Sequence, residues 1–282
     1  MEQIEQGNIY YGFRSEKYPE VCCYAVIISA RCDIANNKIS KLYYLTAVDA
    51  KEWFCTKEGF ECVYGVFLKE DLKNRISALG INVNVLLSFP EEMALKVIRE
   101  KCREKKKRSS EETQITEIYR MVHQAFSNGA TFENRKEVVS KINAGKSKGK
   151  QAISFLKGIS KGDINHYHFI PRSAYTEKED KVNGLIVDLQ EIGILSFSDA
   201  QRIVGEGIDY YCLPSDSIEE TNRLTHYYWL NDENDFVMKE GVIKSPWCEL
   251  LLQRFALDFI RIGVDGSTES DYIKLVSLIG KG

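Results

Sequence analysis

Seven cations fall within ten residues of this chain: Arg99, Lys101, Arg103, Lys105, Lys106, Lys107 and Arg108, interrupted only by Glu100, Cys102 and Glu104. A cluster this dense can neutralise several phosphates of a nucleic-acid backbone. The competing reading is a solvated helix end, where cations also suit the carbonyl dipole. No aromatic residue is interleaved, so stacking on single-strand bases is not the expected mode here. Lys146 and Lys148 add charge in a second place, the glycine-rich loop GKSKGK.

Other groups offer chemistry at weaker spacing. Ser140 to Ser147 ends like a phosphate-binding P-loop, but Ser140 stands where the first glycine belongs and the preceding Val138-Val139 reads as helix rather than strand. A flexible basic loop is the better reading. His166 and His168 alternate around Tyr167, so on a strand both would share a face, but no third ligand follows at metal-site spacing. Surface or half-buried strand residues account for them. Cys32-Asp33 follows a buried strand, where loops often present reactive groups, which makes it a candidate functional turn. A nucleophilic Cys32 would need a basic partner, whereas Asp33 can simply bond the turn backbone. Asp188 with Glu191, or Glu177-Lys178-Glu179, could be read as the acids and lysine of a metal-dependent nuclease. These patterns nominate no catalytic residue, metal ligand or cofactor.

Composition bounds the rest. The chain has 282 residues, 44% of them hydrophobic and 28% charged, which is ordinary for a globular protein. A net charge of −3 gives no global field toward nucleic acid or anionic lipid, so any such binding rests on a local patch. No apolar run approaches the roughly 18 residues of a membrane helix, and Met1 to Glu5 is acidic and polar, unlike a signal peptide. Eight scattered cysteines with no Cys-x-x-Cys pair read as reduced core residues. These features predict a cytoplasmic protein with no membrane partner.

The elements that would position these residues follow from periodicity. The first 89 residues read mostly as strands: a turn at Gly7-Asn8, a continuous apolar run from Val21 to Ser29, a turn at Asn36-Asn37, and Lys41 to Val48. Residues 90–160 read as a basic helical insertion. Pro90-Glu91-Glu92 starts a helix reaching residue 108, Ser109-Ser110 breaks and caps, and helices follow over 111–126, 133–142 and 151–159. Residues 161–282 read as a C-terminal α+β region. Asn165 to Pro171 and Gly184 to Leu189 form a hairpin, and a helix is capped by Ser245, carries Pro246 in its first turn and stops at Gly263. The expected fold class is α+β: a small β-barrel, a helical insertion, and a hairpin and helix packing back on the barrel.

Gly7-Asn8-Ile9 followed by Ala25-Val26-Ile27-Ile28-Ser29 resembles the opening of MazF/PemK-like SH3-like barrels. Ile28-Ser29-Ala30-Arg31-Cys32-Asp33-Ile34 resembles an Ile-Ser-x-x-Cys-Asp-Ile string of bacterial proteins encoded beside ATPases in defence-type operons. Ser245-Pro246-Trp247, Gln253-Arg254-Phe255 and Arg261-Ile262-Gly263 are similar to the closing helix of that group. The resemblance covers about a third of the chain in short motifs. Cys23 and Tyr24 stand where the ribonucleases have Arg and Pro, so the barrel carries over without their catalytic arginine.

The resemblance therefore implies a non-enzymatic binding subunit, a sensor or adaptor of a multi-component anti-phage defence system. It would contact a protein partner, with an operon-encoded ATPase as candidate, and nucleic acid through the basic cluster. The alternatives are a nuclease, either a degenerate MazF-like ribonuclease or a metal-dependent one, and a phage-encoded inhibitor of host defence.

Overall fold

The computed structural model describes residues 4–36, 38–144, 149–164, 166–177, 183–197, 199–201, 210–212 and 236–260. The apolar run near residue 25 becomes β2 (Cys23–Ile27), buried at every position, as two covered faces require. It lies between β1 (Asn8–Phe13) and β3 (Lys41–Asp49). A short helix α1 (Arg31–Ala35) stands between β2 and β3, where the pattern suggested a plain turn. Asn36 ends that helix and Asn37 lies outside the described residues.

All strand pairs are antiparallel, in the order β4 (Tyr167–Ile170), β6 (Leu185–Ser196), β3, β2, β1, β8 (Phe236–Ile243), β5 (Tyr175–Glu177), with β7 (Tyr210–Cys212) also on β8. The expected hairpin is thus half right. β4 and β6 do pair, but the segment between them carries β5 to the opposite edge of the sheet.

That connection has a geometric consequence. Ile170 ends one edge strand and Tyr175 starts the other, so five Cα steps span at most about 18 Å. A flat path of seven strands would set its edges about 29 Å apart. The sheet must therefore curl strongly, although its ladder is not closed among the described residues.

One face buries Tyr10, Cys23, Ala25, Leu42, Tyr44 and Ile186 together with Trp53 and Phe155, whose rings stack at 5.0 Å. On this face Gly193 pairs with Tyr44, and a Cβ there would lie 2.0 Å from the tyrosine ring, so only glycine fits. The other face buries Ile9, Val26, Leu45, Leu185 and Val187 with Cys248 and Leu251 of α10 (Trp247–Ile260). The C-terminal helix packs back on the sheet as expected. It starts one residue after Pro246, however, so neither Ser245 nor the proline's place in a first turn marks its start. Leu250 and Leu257 face out, and Gly263 lies outside the described residues.

Strands stop at Asp49, and residues 50–87 are helical rather than the strands expected to residue 89. They form α2 (Ala50–Trp53), α3 (Lys57–Phe60), a π-helical turn (Glu61–Gly65), α4 (Val66–Ala78) and α5 (Val83–Leu87). Asp49 accepts from the amides of Lys51 and Glu52, and Thr56 accepts from that of Gly59, so both starts are properly capped. Phe60, Tyr64, Leu68, Leu72 and Ile76 recur every fourth residue and form one buried ridge.

The helices continue as α6 (Glu91–Glu104), α7 (Ser109–Phe126), α8 (Phe132–Ala144) and α9 (Lys150–Lys161). α7 is the hub, packing on α4, α6 and α8. Arg135 of α8 ties this bundle to the sheet side. It is 4% exposed, ion-paired with Glu20, and donates to the carbonyl oxygens of Cys55 and Ala130. No helix among the described residues is long and apolar enough to cross a membrane.

Candidate nucleic-acid interface

The basic cluster occupies the turn between α6 and α7, and the turn explains its shape. α6 opens behind Pro90 with Glu91 and Glu92 in its first turn and buries Ala94, Leu95, Ile98 and Cys102 against the bundle. That spacing leaves Lys96, Arg99 and Arg103 exposed on one row of the helix. At the C-terminus the amide of Lys107 donates to the carbonyl of Cys102 at 2.9 Å, and that of Lys106 to Arg103 at 3.0 Å. This pair of bonds is a Schellman motif, whose left-handed position normally holds glycine. Here it holds Lys106, at φ 51°. A non-glycine residue in that conformation costs about 1–2 kcal/mol, so the chain keeps a cation at the tip against its backbone preference. Arg108 then occupies the N-cap position of α7 with no side-chain cap, so the expected cap at Ser109-Ser110 is not formed.

Not every cation of the cluster is free. Lys101 is held by Glu104 at 2.7 Å and Lys107 by Glu111 at 3.0 Å. Arg99, Arg103, Lys105, Lys106 and Arg108 are exposed and have no ion pair or side-chain hydrogen bond among the described residues. Glu100 and Glu112 are the nearby acids left over, so the tip keeps a positive balance. Lys96 extends the row one turn back toward the N-terminus. It lies outside the dense run, although its i, i+3, i+7 relation to Arg99 and Arg103 is legible in the residue spacing. Lys146 and Lys148 lie outside the described residues.

The other candidates are dispersed. Cys32 and Asp33 sit on α1, where the thiol contacts the Asp33 carboxylate at 3.6 Å, an acid rather than the base a nucleophile needs. Neighbouring Arg31 is turned to Glu249 at 3.5 Å. Residues 140–144 of the P-loop-like string end helix α8, and 145–148 lie outside the described residues.

The two histidines part company. His166 is exposed and its Nδ1 meets Gln190 at 2.7 Å, while His168 is 5% exposed. His168 Nε2 has no hydrogen-bond partner among the described residues, and burial, aided by Arg254, pushes its pKa down to about 4. It is a neutral core residue at pH 7.

Asp188 sits where β6 bulges: four residues stand between the partners of Leu45 and Ala47, opposite the single residue Thr46. Its carboxylate is fully engaged. Oδ2 accepts from Lys17 Nζ at 2.6 Å and Tyr18 hydroxyl at 2.7 Å, and Oδ1 accepts from the amide of Gln190 at 3.0 Å. Glu191 is bonded by Ser15 at 3.0 Å. Glu177 lies on β5, while Lys178 and Glu179 fall outside the described residues. Among the described residues no group of three His, Cys, Asp or Glu side chains stands close enough to hold a metal ion.

Comparison with known proteins finds no match: no family model fits the chain, and no curated protein or solved structure is significantly similar to it.

Proposed function

We propose that this chain is a binding subunit, a sensor or adaptor within a bacterial multi-component anti-phage defence system, that grips nucleic-acid phosphates with the α6–α7 tip. A protein partner occupies another surface, and the strongly curled sheet, a derivative of the SH3-like barrel, is the frame for both. The observation that carries this reading is the set of five exposed cations, without ion-pair partners among the described residues, around a turn that keeps Lys106 at a strained backbone position. Phosphate contacts of this kind position a protein without reading sequence. Arg99 and Arg103, one helical row, would follow the backbone, with Lys105, Lys106 and Arg108 gripping from the end.

The test is fluorescence anisotropy with labelled duplex DNA, duplex RNA and single strands, with Mg²⁺, followed by gel analysis of the same samples. The expected result is stoichiometric binding with intact nucleic acid, reduced at least tenfold by charge reversal at Lys105, Lys106 and Arg108. Cleavage of any strand, or affinity untouched by that reversal, would overturn the proposal.

A further inference from the structure

A groove of about 600 Å³ opens in the helical bundle between α4, α5 and α7, on a part of α7 remote from the basic tip. Its apolar lining is Leu72, Val83, Leu87, Val122 and Phe126, and Leu72 and Val122 are almost fully buried. Polar groups converge from its rim. Lys69 stands 4.1 Å over the Phe126 ring and is shared with Glu61 at 2.8 Å. The His123 ring stacks on Tyr119 at 5.8 Å, which fixes its orientation. Asn84, Ser127 and Asn128 supply neutral hydrogen-bonding groups. Glu70 also lines the groove and opposes the cations. Lys73 has no partner among the described residues, so it is the one rim cation whose charge is uncommitted.

We propose that this groove binds a small amphipathic organic acid: an apolar or aromatic body on the Leu72–Val122–Phe126 floor and one anionic group at Lys73. The volume lies within the roughly 300–1,000 Å³ typical of small-molecule sites, and the mix of apolar floor and few polar groups is theirs too. A long partner helix is the poorer fit. The exposed apolar side chains of the same helices, Val66, Phe67 and Val85, are not part of the lining, so the apolar surface ends at the groove instead of continuing as a trough. The inference stands apart from the phosphate-binding reading, because it uses a different surface and a different ligand class.

The probe is anilinonaphthalene sulfonate, an aromatic body with one fixed anion, titrated by fluorescence against the folded full-length chain. Its uncharged relative N-phenylnaphthylamine serves as the control. Saturable one-to-one binding is expected, weakened at least fivefold by Lys73→Glu and abolished by Asn84→Trp, which fills the groove from its exposed rim. Lys244→Glu, on the sheet side, should leave it unchanged. The neutral probe should bind more weakly and ignore Lys73→Glu. Circular dichroism melts of each variant separate loss of the groove from loss of fold. Three results overturn the proposal: weak, unsaturable fluorescence, as a groove made for a partner's side chains would give; equal response to both probes; or undiminished binding in a folded Asn84→Trp protein.

Discussion

Replacing Lys105, Lys106 and Arg108 together by glutamine should flatten the salt dependence of nucleic-acid binding by an amount the turn geometry sets in advance. Five cations of the tip have no ion-pair partner among the described residues. Leaving Lys96, one turn back, out of the count for both proteins, the tip neutralises at most five phosphates of a duplex. At about 0.9 per phosphate, log K falls against log salt with a slope near −4.5. Between 50 and 200 mM salt the affinity then drops about 500-fold. The triple variant keeps Arg99 and Arg103, for a slope of about −1.8 and a drop of about 12-fold over the same range. The internal control is Lys107→Gln. Lys107 belongs to the unbroken cationic run 105–108, but its ammonium is already held by Glu111, so its loss should change the slope by less than about 0.5. The assay is anisotropy of a labelled duplex at several salt concentrations. Equal slopes for wild type and triple variant would refute the reasoning. So would a Lys107→Gln slope as flat as the triple's, because the ion pairs would then not be what sorts the cations.

Two further perturbations test the sheet. His168 is held well below its ordinary value of 6.5, at about 4, so the unfolded chain takes up the proton first as pH falls. Its stabilising contribution is complete above about pH 6.5 and shrinks toward pH 4, with about 2 kcal/mol lost by pH 5. Urea unfolding at pH 7 and 5 should find that loss in wild type, and His168→Leu should remove it. At the β6 bulge, removal of the two ion-pair partners should be unequal. Lys17→Met strands the buried Asp188 carboxylate and should cost about 3–5 kcal/mol. Asp188→Asn keeps a group for Tyr18 and leaves an ammonium 28% exposed, free to turn to water, so it should cost clearly less by chemical denaturation.

What the sequence disclosed and what it hid divide along physical lines. β2 and β3 were readable because an unbroken apolar run and its neighbour reflect burial directly. α6 to α9 were readable because each carries an amphipathic period within an uninterrupted helix. The helices from residue 50 to 87 were not, for two reasons. Aromatic residues such as Trp53, Phe54, Phe60 and Tyr64 mimic strand composition, and the helices are broken into one-turn pieces that show no long period. The basic cluster was visible as charge. Which of its members are free depends on Glu104 and Glu111 reaching particular lysines, a side-chain geometry that no spacing settles. The groove was invisible because its lining joins α4 and α5, neighbours in sequence, to the distant end of α7.

The four-residue link from β4 to β5, with the pairing of β1 to β8, also orders events in time. The sheet pairs Asn8 with Val242, so its ladder stays incomplete until more than 230 further residues have followed β1, counting from Asn8 to Val242. Contacts this distant in sequence are slow to form. The helical bundle is under no such constraint: its core runs from Cys55 to Ile142 and draws on one contiguous stretch. The bundle, basic tip and groove can therefore assemble on the ribosome before β8 has emerged. The sheet's two outer strand sets would still wait for each other, with β8 the strand that brings β5 to β1.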